Sequence, residues 1–249
     1  MIEVRSLRKH FGEVEAVKDV SFRAADGAIT GLLGPNGAGK TTSLRLLYGL
    51  LQADAGEALV DGIDTRSRPN AARARLGVLP DARGLYPRLT ARENIAYYGR
   101  LHGMDAAKLE TRIDELVELL ELGAVARRRV DGFSQGERMK VAIARSIVHG
   151  PQNVVLDEPT NGLDVMSIRS LRRFLRSLRD AGHAVLLSSH VMQEVSALCD
   201  DIVVVADGRV VAEGSPDALR AQTGLESLEE AFVALTFGER FAEEGVASA

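Results

Sequence analysis

Nine consecutive residues, Gly34-Pro35-Asn36-Gly37-Ala38-Gly39-Lys40-Thr41-Thr42, constrain this chain more than anything else in it. They fit G-x-x-x-x-G-K-[ST], a loop that cradles phosphate. The glycines let successive backbone N–H groups converge on one anion, which side chains would obstruct. Lys40 supplies a point charge for terminal phosphates, and the Thr41 hydroxyl is a ligand suited to Mg²⁺. Residues 28–33 read as a buried strand entering the loop and residues 42–50 as a helix leaving it. The helix N-terminus adds partial positive charge where phosphate would sit. Asn36, Gly37, Ala38, Gly39, Lys40, Thr41 and Thr42 are therefore the expected phosphate-binding residues, and the expected ligand is a nucleoside triphosphate.

A second stretch, Val154-Val155-Leu156-Asp157-Glu158-Pro159, completes the chemistry. A buried strand here delivers two adjacent carboxylates at its C-terminal end, where open α/β sheets bind their ligands. Asp157 is suited to hold Mg²⁺, directly or through water. Glu158 is suited to act on the water that attacks a γ-phosphate.

Short apolar runs at 153–156, 184–188 and 201–205 alternate with helical patterns starting near Val165 and Val191. Such alternation implies a mostly parallel sheet covered on both faces. Strand character at 2–7, 14–22 and 57–62 implies an N-terminal antiparallel β subdomain. Between the first two of these, Lys9-His10-Phe11-Gly12 presents an aromatic at a turn, with a buried core aromatic as the alternative reading. Asp207-Gly208 signals a hairpin turn. From 90 to 122, apolar Leu109, Ile113, Leu116, Val117 and Leu120 recur at three- and four-residue spacing. This predicts a helical subdomain at about 84–150, within a single domain over 1–237. Ser215 and Ser227 read as helix caps. A frayed tail is expected over 238–249.

Phe133-Ser134-Gln135-Gly136-Glu137, shortly before the paired carboxylates, resembles the signature of the ATP-binding cassette family, commonest as Leu-Ser-Gly-Gly-Gln. Other family elements are similar too. Residues 9–12 resemble the loop whose aromatic, here Phe11, stacks on adenine, with Val17 beside it. Asn161-Gly162-Leu163-Asp164 resembles the loop that crosses a dimer interface. Ser188-Ser189-His190 resembles the histidine switch that contacts the γ-phosphate. The resemblance implies an α/β phosphate-loop NTPase fold and an ATPase using ATP and Mg²⁺, with Lys40, Glu158 and His190 catalytic. It also implies an ATP-bound homodimer, or a heterodimer with a second ATPase subunit, in which Ser134 and Gly136 cap the partner's nucleotide. Membrane-spanning permease subunits would be encoded separately, and the chain would sit peripherally on the cytoplasmic face of the inner membrane.

Three positions depart from the family pattern. Gln135 and Glu137 replace the commonest glycine and glutamine of the signature. Asp81 stands where the family usually has a glutamine that senses metal and attacking water, and it cannot donate a hydrogen bond when ionised. Asp81 is kept as a candidate metal ligand. Phrases such as Gly84-Leu85-Tyr86-Pro87-Arg88-Leu89 and His190-Val191-Met192-Gln193-Glu194-Val195 resemble ATPase subunits of bacterial sodium export, with antibiotic export close behind.

The alternative is a related soluble ATPase of DNA repair or chromosome organisation. Those chains insert a long coiled coil between phosphate loop and signature, and the heptad pattern here does not persist. A net charge of −4 argues against nucleic acid as a general partner. The single cysteine, Cys199, forbids an internal disulfide and suits a reducing compartment. Residues 1–5 lack a signal-peptide core, and no apolar run approaches the ~20 residues of a membrane helix. A cytoplasmic location is expected.

Overall fold

The computed structural model describes residues 1–81 and 84–238; the expected tail lies almost wholly outside them. Ten strands form one sheet: β1 (Ile2–Phe11), β2 (Val14–Ala24), β3 (Ala28–Leu33), β4 (Ala55–Val60), β5 (Ile63–Asp64), β6 (Leu76–Leu79), β7 (Asn153–Asp157), β8 (Ala184–Ser189), β9 (Asp201–Ala206) and β10 (Arg209–Gly214). Their order is β5-β4-β1-β2-β10-β9-β3-β8-β7-β6. Strands β9, β3, β8, β7 and β6 run parallel, whereas β5, β4, β1 and β2 form an antiparallel wing. Between these halves β10 pairs with β2 through the single register pair Arg209↔Asp19. Lys18 and Asp19 N–H also donate to the Gly208 carbonyl, at 2.8 and 3.1 Å.

Parity along the parallel strands explains how two cores form. Ile29, Leu33, Val154, Leu156, Val185, Leu187, Ile202 and Val204 point to one face. Leu32, Val155, Leu186, Val203 and Val205 point to the other, as a period of two requires. The second face packs on α1 (Lys40–Leu47), whose Leu44, Leu46 and Leu47 are buried. The wing closes over the same core with Ile2, Val4, Leu7, Val20 and Phe22. Helix α1 ends earlier than the sequence pattern suggests, because Gly49 takes φ +71° just beyond it.

The first face is covered by α5 (Gln135–Ile147), α6 (Val165–Asp180), α7 (Met192–Leu198) and α9 (Leu228–Phe237). Helices α3 (Ala91–Leu101) and α4 (Ala106–Leu119) build the inserted subdomain. Their buried Ile95, Leu109, Ile113 and Leu116 belong to the same continuous cluster as the sheet residues. The insert therefore shares a core with the sheet through α5 rather than carrying its own. The remaining helices are α2 (Pro69–Arg73) and α8 (Pro216–Thr223), the latter capped by Ser215. Among the described residues, no helix is long and apolar enough to cross a membrane.

Candidate nucleotide site

Strand β3 delivers the phosphate loop between the two halves of the sheet. Its glycines are held by close approach as well as by conformation. A Cβ on Gly34 would run into the Val205 carbonyl, and one on Gly39 (φ +101°) would sit 2.6 Å from the Ala16 carbonyl oxygen. Gly37 faces open space at φ +82°, so conformation alone selects it. Lys40 is nearly buried. Its Nζ donates to the Gly34 and Pro35 carbonyls at 2.7 and 3.1 Å, and lies 3.9 Å from Glu158 Oε1. Burial lowers its pKa, while Glu158 and Asp157 oppose the shift.

The carboxylates arrive by strand parity. Asp157 lies two residues beyond Val155 on the α1 face, and it pairs in register with Ser188 of β8. Thr41 Oγ1 donates to Asp157 Oδ1 at 3.2 Å, and Ser188 Oγ donates to the same oxygen at 2.6 Å. The Glu158 N–H in turn donates to Ser188 Oγ at 3.0 Å. Ser188 thus ties both acidic residues to β8. Sequence reasoning attached no role to it, since only the register reveals the contact.

Glu158 leaves the strand with φ +47°, a conformation that costs a non-glycine residue about 1 kcal/mol or more. Its Oε2 accepts from His190 Nδ1 at 2.9 Å. Ala16, Asn36, Gly37, Gly39, Lys40, Thr41, Thr42, Asp81, Glu158, Asn161 and His190 line one open pocket of about 480 Å³. Phosphate loop, base candidate, switch histidine and Asp81 are therefore brought together.

Some expected residues fall elsewhere. Val17 is fully buried beneath the loop, so its side chain is the floor and Ala16 does the lining. Ala38 is buried too; its N–H donates to Pro35 O and its carbonyl accepts from Gly208 N–H. Phe11 is 47% exposed at the end of β1, with Lys9 Nζ 5.6 Å from its ring centre, which overturns the core-aromatic alternative. It lies outside the phosphate pocket's lining, on the antiparallel wing.

Ser134 and Gly136 also lie outside that pocket. Ser134 caps α5 in a reciprocal box, accepting from Glu137 N–H at 3.2 Å while its own N–H donates to Glu137 Oε2 at 2.8 Å. Glu137 thus fills the N3 place of a capping box, a place glutamine also fills. Gly136 is buried because a Cβ there would strike Ser167 Oγ of α6. The other histidines lie outside this pocket's lining. His102 and His149 stack with ring centres 3.7 Å apart, His10 lies near Glu15 and Asp54, and His183 Nδ1 meets Pro151 O.

Residues 17–161 match the family model described as ABC transporter. The chain belongs to that family. Among curated proteins, this cassette is 42% identical over 221 residues to the ABC transporter ATP-binding protein NatA of Bacillus subtilis, covering 88% of this chain and 90% of that one. It is 40% identical over 223 residues to a daunorubicin resistance ATP-binding protein of Streptomyces coeruleorubidus, covering 90% and 71%. Among solved structures, an ATP binding subunit of an ABC transporter matches with TM-score 0.86 at 30% identity, over 94% of this cassette and 99% of that chain. A dimeric bacterial ABC transporter cassette matches with TM-score 0.78 at 26% identity, over 86% and 98%. The cassette is thus an ATPase of the α/β phosphate-loop class.

Proposed function

We propose that this cassette hydrolyses ATP to energise export by separate membrane-spanning subunits. The observation that carries the chemistry is the convergence of Lys40, Thr41, Asp157, Glu158 and His190 on one pocket. Lys40 pairs with the terminal phosphates. Glu158 accepts the proton of the attacking water, and His190 Nδ1 holds that carboxylate from the rim of the same pocket. Thr41 Oγ1 and Asp157 are the donor set for Mg²⁺, with Asp81 on the same pocket. Among the described residues no group of three or more acidic, histidine or cysteine side chains forms a cage. That suits Mg²⁺, which binds through few protein oxygens plus phosphates and water. When bound, the ion would offset negative charge on the phosphate oxygens.

The signature on the same chain lies outside the phosphate pocket, so the site is completed by a second cassette, identical or not. The dimeric relative supports this reading. Export is supported by the names of relatives, which include a Nod factor export protein at 41% identity. The transported substrate is left to the membrane subunits. The coiled-coil ATPases of DNA repair are disfavoured, because the longest helix before the signature, α4, has 14 residues.

Docking of a membrane-subunit helix is assigned to the groove between α1, β6, α3 and α5. Leu50, Val78, Tyr98 and Arg145 line this groove of about 470 Å³. Tyr86 stands at the same side, 43% exposed, edge-on to Tyr97, which is edge-on to Tyr98. Attachment there would hold the cassette peripherally on the cytoplasmic face. ATP turnover of the purified chain with and without its membrane partner tests this reading. Turnover that is unchanged by chelating Mg²⁺, or by the partner, would overturn the corresponding part.

A further inference from the structure

We infer that Gln135, the signature residue standing where glycine is commonest, is a positioning residue that links the two nucleotide sites of the dimer through one chain. The inference rests on the composite-site reading above. In that arrangement each cassette has two duties: Glu158 and His190 act on its own nucleotide, while Ser134 caps the partner's. Something inside the chain must connect the two places if the sites are to fire in concert.

The connection is short. Glu158 (φ +47°) opens a compact turn, closed by Asn161 N–H to Glu158 O at 3.2 Å and Leu163 N–H to Thr160 O at 3.1 Å. The turn brings Gly162 (φ +73°) against α5. There the Gln135 carboxamide lies over the Gly162 backbone. A Cβ at Gly162 would be 3.1 Å from Gln135 Oε1, 3.5 Å from Cδ and 3.6 Å from Nε2. Gln135 immediately follows Ser134, the residue that caps α5.

One turn further on, Asp164 caps α6 by accepting from Ser167 N–H at 2.9 Å and Ser167 Oγ–H at 3.0 Å. Ser167 Oγ is what leaves no room for a Cβ at Gly136. The signature therefore rests on the 158–167 segment at two adjacent points, Gln135 on Gly162 and Gly136 on Ser167. A shift of the turn that follows Glu158 must displace Ser134, because close-packed contacts transmit movement. With glycine at 135 the first of these points would be empty, and the signature would bear on Gly136–Ser167 alone.

The test uses the full chain and three variants: Gln135→Ala, Gly162→Ala and the double variant. Alanine keeps helix α5 intact at its first turn, and thermal denaturation checks the fold of each. ATPase rate is measured against ATP concentration, and ATP-driven dimerisation is measured in a Glu158→Gln background. The expected result for Gln135→Ala is an unchanged affinity of the phosphate loop for nucleotide and a retained dimer. The Hill coefficient of hydrolysis should fall from above 1.5 (roughly the level two coupled sites give) towards 1. Gly162→Ala should lower turnover by pressing on Gln135, and adding Gln135→Ala should restore part of it. A dimer that forms normally with the Hill coefficient unchanged in Gln135→Ala overturns this inference alone. A wild-type coefficient of 1 also overturns it, since no coupling exists for Gln135 to carry. Absence of an ATP-driven dimer overturns the composite-site reading and this inference with it.

Discussion

Glu158 Oε2 and His190 Nδ1 lie 2.9 Å apart, and the histidine donates. The two side chains come from the ends of neighbouring strands β7 and β8. The carboxylate is largely buried, with 13% of its side chain exposed, whereas the imidazole is 42% exposed. The base is therefore held from the solvent side by a residue that can also meet the nucleotide. Two substitutions separate these roles.

Glu158→Gln should retain ATP binding while hydrolysis falls by about 10²–10⁴, the range for losing a general base. With ATP and Mg²⁺ the variant should accumulate as a dimer, measured by size-exclusion chromatography with light scattering. Normal turnover would remove Glu158 from the mechanism.

His190→Ala should leave the Glu158 carboxylate present but unanchored. Turnover should drop by about 10²-fold, the scale of a misplaced catalytic group, with ATP affinity changing far less. A raised KM with kcat unchanged would assign His190 to binding instead.

Lys40→Ala should weaken ATP by at least about 10–100-fold, the worth of a charge-assisted contact; calorimetry measures it. Ser134→Arg should bind ATP as a monomer yet fail to turn it over. Mixing the two variants should restore partial activity, because each mixed dimer keeps one site with an intact loop and an intact signature. No recovery, with mixed dimers shown to form, would count against a shared site.

Tyr86→Ala should spare the fold and basal ATPase but weaken association with the membrane partner. The backbone around Tyr86 is fixed independently. Its N–H donates to Asn94 Oδ1 at 2.9 Å, and Asn94 Nδ2 donates to the Tyr86 and Thr90 carbonyls at 3.2 and 2.9 Å. Removing the ring thus costs mainly the aromatic pair, about 0.5–1.5 kcal/mol. Asn94→Ala, by contrast, strands buried polar groups and should destabilise the chain by about 2–3 kcal/mol. Asp81→Asn should change partner-stimulated hydrolysis more than basal hydrolysis. Equal changes in both would confine Asp81 to the chemistry.

Acidification should destabilise the fold through His149. Burial, aided by the neighbouring His102, pushes its pKa down to about 4 from 6.5. The unfolded chain therefore binds a proton that the folded chain refuses, and stability falls as pH drops from about 6.5 to 4. The slope should stay below about 1 kcal/mol per pH unit once its partial exposure is discounted. Urea denaturation at pH 7 and pH 5 should show a smaller difference for His149→Phe than for the native chain.

Local chemistry made much of this molecule legible beforehand. The phosphate loop, the carboxylates after an apolar strand and the serine caps each depend on residues close in sequence. What escaped depends on register and depth. Ser188 reaches Asp157 only because β7 and β8 pair in one alignment. Val17 and Ala38 lie in the expected stretches, but their side chains point inward. Asn94 reads as an ordinary helical polar residue until the loop at Tyr86 folds back onto it. The union of wing and parallel sheet at β2 and β10 joins segments nearly two hundred residues apart, which no local pattern announces.

That narrow union has a consequence for how such a chain can diversify. Phe11, proposed to stack on the base, rides on the wing, whereas Lys40, Glu158 and His190 belong to the parallel half. Stacking on the base and the cutting of phosphate would then fall to separate pieces of architecture. Replacing Phe11 with leucine should weaken binding of ATP and GTP alike, since every base has a face to stack, while turnover at saturation stays put. A lineage could then retune how tightly it grips its nucleotide without touching how it burns it; parallel changes in both quantities would show the two to be inseparable.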